Sequence, residues 1–264
     1  MLKALRFQHP NAAITAIYQL LFSTTKWSYI GSMSRLILEK HSALPLKRGS
    51  FMPPSIHSAA DIKNLLKKLP EQQIDHMIGV GIYAGIMAKK MNDCQMFSKR
   101  FSQRKIEQIS EAAFYHDVGK VWLPREILFK SEQLTMKERL IVGQHTLLAM
   151  RLFDYMASRI VSGIPDCLIF LCCDAAVYHH EHWNGNGYPF GLCGNKIPLV
   201  ARITAICDCY DRETVQEGDN HQAACHIITQ GAGTRFDPAL AHIFIRNNSE
   251  FAAAYSSYRN SDWF

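Results

Sequence analysis

The sequence predicts an all-α fold built as a helical bundle. Several segments repeat apolar residues close to the 3.6-residue helical period, and residues typical of helix starts precede them. No segment shows the sustained two-residue alternation of a strand, and no internal repeat occurs. With 264 residues, of which 48% are hydrophobic and 20% charged, the chain is long and apolar enough to bury a core. We expect this bundle to follow a small helical N-terminal extension.

Residues 1–70 are predicted to form that extension and a linker. Apolar stretches occur at Ile14–Phe22 and Met33–Leu38, and a loop-like segment with prolines at 45, 53 and 54 follows them. Residues 71–264 carry every candidate site residue, so we expect them to form the functional domain. The sequence assigns no role to the extension.

Capping residues and prolines divide the rest of the chain into helices. Thr135 and Glu138 have the spacing of a capping box, and proline fits the first helical turn. The predicted helix starts, in chain order, are Asp61, Thr135, Asp166, Pro198, and Asp237 with Pro238. Helical periodicity also covers 73–91 and about 104–116, with Gly119 as the expected terminator of the second segment.

Histidines and aspartates recur along these helices in a pattern that suits divalent metal ions. His116 and Asp117 form a dyad, and His179 and His180 form a second adjacent pair. Imidazole nitrogen and carboxylate oxygen suit iron, manganese or zinc. Adjacent helical residues point about 100° apart, so each pair would contact two neighbouring ions, with a carboxylate bridging them.

Lys120 follows the dyad by three residues and could reach a phosphate there. Two metal ions about 4 Å apart can lower the pKa of a shared water and hold a phosphate during in-line attack, which indicates hydrolase chemistry. Alone, His76 or His145 would more often be a hydrogen-bonded core histidine, and Tyr188 could simply pack a loop. The complete set favours the metal-site interpretation.

Composition limits the other classes of function. The eight cysteines are scattered without a CxxC pair, so neither a zinc ribbon nor a disulfide framework is expected. The formal charge of +6 is modest and decides nothing by itself. No apolar run approaches the roughly 20 residues of a spanning helix, and no secretion signal is visible. We therefore expect a cytoplasmic protein with no membrane or DNA partner.

Four stretches together resemble the HD-GYP family, a branch of the HD phosphohydrolases that cleaves cyclic di-GMP in bacteria. They are FYHDVGK, the downstream His145, HHEHWNGNGYPFGL and IPLVARITAICDCYD, and the resemblance covers about Glu71 to Phe244. It implies an HD-type helical bundle and a role in bacterial signalling.

The resemblance also implies a site, residue by residue. Asp117 would bridge two metals and, with Lys120, act in catalysis, while Lys120 would hold the scissile phosphate. The implied metal ligands are His76, His116, Asp117, His145, His179, His180 and Asp208. Tyr188, Gly187 and Pro189 lie in the signature loop and would contact the substrate.

Two departures from the family pattern modify these expectations. Gln72 occupies the position, four residues before His76, where some members hold a third metal with glutamate, so we predict two metals, iron or manganese. After Asp211 the chain reads RETVQEGDNHQAAC, which lacks the two basic residues that contact the nucleotide in typical members.

The functional hypothesis is hydrolysis of cyclic di-GMP to pGpG, with further cleavage to GMP left open, through metal-activated hydroxide. Three alternatives stay open. They are hydrolysis of another cyclic dinucleotide such as 3',3'-cGAMP, a weakly active or inactive metal-containing module acting through protein partners, and a nucleotide phosphohydrolase of the broader HD class. Oligomeric state is also open.

Overall fold

The computed structural model describes residues 56–94, 100–158, 163–216 and 220–259. Over these ranges the regular structure is helical, and the only strand-like pairings are two isolated bridges, Asn184 with Cys193 and Ala232 with Phe236. The all-α prediction is therefore confirmed. Residues 1–55 of the predicted extension lie outside the described residues, so the division at residue 70 stays a prediction.

The α-helices are α1 (Ala59–Leu66), α2 (Glu71–Asp93), α3 (Gln103–Phe114), α4 (Arg125–Leu128), α5 (Met136–Gly143), α6 (His145–Ala157), α7 (Asp166–Tyr178), α8 (Leu199–Gln216), α9 (His221–Gln230), α10 (Pro238–Arg246) and α11 (Asn248–Arg259). A 3-10 helix, Tyr115–Trp122, follows α3, and a short one covers Gly194–Lys196. In this described part of the chain, no helix combines the length and apolarity needed to cross a membrane.

Helix α2 lies at the centre of the bundle. It packs against α3, α8, α10 and α11, and it buries Met77, Val80, Tyr83 and Met87 completely. At the opposite side of the core, α6 and α7 pack on each other and on the 3-10 helix.

The first described helix begins earlier than predicted. Ser58, rather than Asp61, is the N-cap residue of α1. Asp61 instead occupies the third helical position, where its carboxylate accepts hydrogen bonds from the backbone N–H of Ser58 at 2.9 Å and of His57 at 2.9 Å. The two residues form a capping box, which a search for a single capping aspartate does not anticipate.

The dyad lies on the 3-10 helix rather than on the end of α3, which stops at Phe114. The prediction that Gly119 terminates a helix is wrong, because Gly119 lies inside this 3-10 segment. A Cβ atom at Gly119 would lie 1.9 Å from the carbonyl oxygen of His145, so glycine is what allows the segment to touch α6. That contact places the dyad beside His145.

The predicted helix starts at Thr135, Asp166, Pro198 and Asp237 agree with the structure. Thr135 and Glu138 form the predicted capping box, and Asp237 caps α10 by accepting from the backbone N–H of Ala239 at 2.9 Å. The sequence pattern after Thr135 predicts a single helix through Phe153. The structure instead has two helices there, because α5 ends before Gln144 and α6 begins at His145. The break turns His145 into the first residue of a new helix.

Candidate metal centre

The seven predicted ligands converge from five elements that are distant in the sequence. One group comprises His76 of α2, His116 of the 3-10 helix and Asp208 of α8. A second group comprises His145 at the start of α6 with His179 and His180 directly after α7. Within each group the donor atoms lie within 4.8 Å of one another, and we call these groups the first and second clusters.

Asp117 lies between the two clusters. Its Oδ2 is 3.3 Å from Nε2 of His116, in the first cluster, and its Oδ1 is 3.1 Å from Nε2 of His145, in the second. One carboxylate thus presents an oxygen to each cluster. This is the geometry that the bridging role predicted from the sequence requires.

The distances between donor atoms fit one shared ion in each cluster. Nε2 of His76 lies 3.2 Å from Nε2 of His116 and 3.2 Å from Oδ1 of Asp208. Nε2 of His145 lies 3.4 Å from Nε2 of His179. Atoms bound about 2.1 Å from a common metal ion lie roughly 3 to 3.5 Å apart. The spacing therefore suits coordination of divalent ions.

Ring orientation gives an independent test of that fit. Nδ1 of His116 donates to the carbonyl oxygen of Ala113 at 2.8 Å, and Nδ1 of His145 donates to that of Val142 at 2.7 Å. Since a carbonyl can only accept, the proton is on Nδ1 and the lone pair of Nε2 faces the cluster. His179 is held in the same way by backbone carbonyls. Ligand histidines in proteins are oriented by such hydrogen bonds.

His76 is oriented by a carboxylate that the sequence analysis did not assign. Its Nδ1 lies 2.7 Å from Oδ2 of Asp211, which is buried on α8, three residues after Asp208. Residues three apart share a helix face, so the spacing of Asp208 and Asp211 is a signal that could have revealed this pair. Asp211 is a positioning residue for His76.

Burial and charge set the protonation of the centre. Burial lowers the pKa of His145 to about 4 and lowers the pKa of His179 and His180 well below the usual value. Burial also acts against protonation of His76, but hydrogen bonds to Asp208 and Asp211 outweigh it and raise that pKa to about 9. Neutral imidazole is the form that binds metal, so the second cluster is ready for a cation at neutral pH.

The two ligand carboxylates are ionised despite their burial. Burial favours the neutral acid, but the charge of Lys120 outweighs it and holds the pKa of Asp117 well below its usual range. For Asp208, Arg212 and His76 do the same. These charges attract cations to the buried donor atoms.

Lys120 borders the centre, as predicted. Its Nζ lies 2.6 Å from Oδ2 of Asp117 and donates to Oε1 of Gln73 at 3.0 Å. Gln73 in turn donates to Oδ2 of Asp117 at 2.9 Å. The glutamine at the centre is thus Gln73, three residues before His76, while Gln72 is exposed.

The signature loop covers the second cluster. The ring of Tyr188 stacks on that of His180, with centroids 4.7 Å apart, and remains 40% exposed. The buried carboxylate of Glu181 holds the loop by accepting from the backbone N–H groups of Phe190 at 2.7 Å and Leu192 at 2.8 Å. The sequence analysis did not identify this anchor, although Glu181 directly follows the paired histidines.

Gly187 and Pro189 flank Tyr188 in the loop. A Cβ atom at Gly187 would lie 2.2 Å from the backbone nitrogen of His182, so the close approach of the two backbone segments requires glycine. The Tyr188–Pro189 peptide bond is cis. These features shape the loop, and substrate contacts by Gly187 and Pro189 stay predictions.

Comparison with known proteins finds relatives that are named as phosphodiesterases of cyclic dinucleotides. Residues 86–240 match the HD domain family. A Vibrio cholerae protein named "Probable cyclic di-GMP phosphodiesterase" is 34% identical over 181 residues, which are 67% of this chain and 41% of the relative. A Thermotoga maritima protein named "Cyclic di-GMP phosphodiesterase" is 28% identical over 76% of this chain and 52% of its own length.

A further Vibrio cholerae protein carries a different substrate in its name. It is called "3'3'-cGAMP-specific phosphodiesterase 2" and is 30% identical over 59% of this chain and 29% of its own length. The chain therefore spans about half, or less, of the length of these three relatives.

Proposed function

Because the chain belongs to the HD domain family, among its HD-GYP members, we propose that it is a metal-dependent phosphodiesterase that hydrolyses cyclic di-GMP. The observation that carries this proposal is the position of Asp117 between two clusters of metal-binding donor atoms, with Lys120 beside it. The names of the relatives support the same class of substrate. We propose pGpG as the main product, and the same assay would show whether cleavage proceeds to GMP.

The residues of the two clusters would hold two divalent ions, iron or manganese, with Asp117 between them. Bound there, such ions would lower the pKa of a water and offset the negative charge of a phosphate. The set contains imidazole and carboxylate but no thiolate, which suits these metals. The count of two follows from Gln72, whose neutral and exposed amide offers no carboxylate for a third ion.

Side chains of this protein position the phosphate. Lys120 would bind an oxygen of the scissile phosphate and stabilise the negative charge that develops during cleavage. Gln73 holds the Lys120 ammonium in place by accepting its hydrogen bond at 3.0 Å. Tyr188 presents a partly exposed ring beside the centre, where a nucleotide could pack against it.

The decisive experiment measures hydrolysis of cyclic di-GMP by protein loaded with iron(II) or manganese(II) without oxygen. The His116→Ala/Asp117→Ala variant should release no pGpG, whereas His242→Ala, which alters an exposed histidine on α10, should behave as wild type. Hydrolysis that survives the double substitution would refute the proposed site. Two bound metals without any product would favour a regulatory module acting through protein partners.

A second candidate substrate is 3',3'-cGAMP, which the name of one relative favours. It differs from cyclic di-GMP in one base and shares both phosphates, so the same centre could cleave it. Parallel assays with the two cyclic dinucleotides at equal concentration would rank them by kcat/KM. The cytoplasmic location expected from the sequence belongs to this proposal.

A further inference from the structure

Besides Lys120, a second cationic side chain borders the metal centre, and the sequence analysis left it unassigned. Nη2 of Arg212, on α8, donates to Oδ2 of Asp208 at 2.6 Å. The other oxygen of Asp208 lies 3.2 Å from Nε2 of His76. A single carboxylate therefore links the guanidinium to the first cluster.

The Arg212 side chain is accessible although its partner is not. It is 37% exposed, whereas the side chain of Asp208 is 3% exposed. A guanidinium carries five N–H donors, and among the described residues Asp208 is the only recorded hydrogen-bond partner of this one. The remaining donors are available to a ligand that approaches from solvent.

Other charges of the centre act on Arg212 as well. The carboxylates of Asp208 and Asp117 raise the pKa of the Arg212 guanidinium. Lys120, by contrast, contacts Asp117 directly. The centre therefore has one cation at Asp117 and another at Asp208.

A cyclic dinucleotide presents two phosphates, each with one negative charge, and only one of them is cleaved at a time. In the proposed function the metal ions and Lys120 bind the phosphate under attack, so the other phosphate keeps its charge and needs a separate partner. Arginine suits such a partner because its planar fork can donate two parallel hydrogen bonds to one phosphate.

We propose that Arg212 binds the phosphate that is not being cleaved and thereby favours substrates with two phosphodiester groups. This inference rests on the proposed function. It assigns to α8 both a metal ligand, Asp208, and a specificity-determining residue one turn later.

The test compares Arg212→Gln, Arg212→Lys and a control, Arg104→Gln, which removes an exposed arginine from α3. Each variant is assayed with cyclic di-GMP and with bis(4-nitrophenyl) phosphate, which has a single phosphodiester. Calorimetry measures the Kd of cyclic di-GMP, and elemental analysis measures metal per chain. Circular dichroism confirms folding, and Arg212→Lys serves if the glutamine variant does not fold.

Arg212→Gln should raise KM and Kd for cyclic di-GMP roughly tenfold to a hundredfold, since a hydrogen bond to a charged group is lost. Its effect on cyclic di-GMP should exceed that on bis(4-nitrophenyl) phosphate by about tenfold, and Arg212→Lys should fall between glutamine and wild type. The control should match wild type.

Equal losses on both substrates, or a fall in bound metal, would overturn the inference and show that Arg212 only holds Asp208. Wild-type values for Arg212→Gln would also overturn it. If wild-type protein binds cyclic di-GMP but does not cleave it, the proposed function fails, and an equal Kd for Arg212→Gln and wild type would overturn this inference separately. Absence of binding by wild type overturns both.

Discussion

The two clusters of the metal centre differ in how they are built. The first combines two histidines with Asp208, and its His76 is held by a second carboxylate, Asp211. The second contains only histidines, and backbone carbonyls orient both His145 and His179. The first cluster contains a carboxylate, and one of its histidines is held by a side chain of α8, while the second contains no carboxylate and depends on the backbone at helix ends. A side-chain substitution can remove the support of His76 but not a backbone carbonyl. We therefore expect substitutions of supporting residues to weaken metal binding mainly in the first cluster.

Asp117→Asn should have the largest effect, because it alters the one side chain that serves both clusters. We expect metal per chain to fall and kcat/KM for cyclic di-GMP to drop on the order of 10²- to 10³-fold or more. Elemental analysis and steady-state kinetics measure the two effects. Full retention of metal in both clusters would contradict the shared role of Asp117.

Asp211→Asn tests whether the first cluster depends on its supporting carboxylate. We expect metal affinity at one site to fall roughly 10- to 100-fold, with the second site retained, because His76 loses its carboxylate hydrogen-bond partner. Metal titration would then separate two classes of site. Glu213→Gln, on the same helix, is the matched control, and equal weakening of both sites would remove the distinction between the clusters.

Glu181→Gln tests the loop that covers the second cluster. A glutamine offers one acceptor oxygen where the carboxylate offers two, so one of the backbone bonds to Phe190 and Leu192 is lost. We expect KM for cyclic di-GMP to rise about threefold to tenfold with metal content retained. The exposed Glu126→Gln variant provides the comparison. Loss of metal would mean that the loop also holds His180.

Asp174→Asn should have the smallest effect on the metal centre, because Asp174 lies outside both clusters, on α7. Burial raises the pKa of Asp174 to about 7, although Lys105 opposes the shift. The unfolded chain loses this proton near the ordinary value of 3.8, so folded Asp174 binds more protons between the two values and stability falls as pH rises through that window.

Asparagine should therefore increase the free energy of unfolding by about 1 to 3 kcal/mol at pH 8 and have little effect at pH 4. Urea denaturation at the two pH values measures this difference, with the exposed Glu132→Gln variant as control. An equal effect at both pH values would show that Asp174 does not titrate in this window. Neither cluster should lose metal in this variant, which separates stability from assembly of the centre.

Local residue patterns predicted much of the fold. Apolar periodicity located α2 and α3, and the capping box at Thr135 and the Asp-Pro pair at 237 located the starts of α5 and α10. These signals act over one or two helical turns, so they can be read without knowing what packs nearby. The break at Gln144 and the 3-10 helix at the dyad were missed, because contacts with other elements decide them.

The sequence by itself determined which residue types could hold metal, since adjacent histidines, the dyad and Asp208 occur in a recognisable order. Only the tertiary structure decided which side chains support them. His76 meets Asp211 across 135 residues, and Lys120 meets Gln73 across 47. Gln73, rather than Gln72, donates a hydrogen bond to Asp117. Arg212 donates a hydrogen bond to Asp208, one turn earlier on α8. Such partners depend on how α2 packs against α8 and the 3-10 helix, and no local pattern encodes that packing.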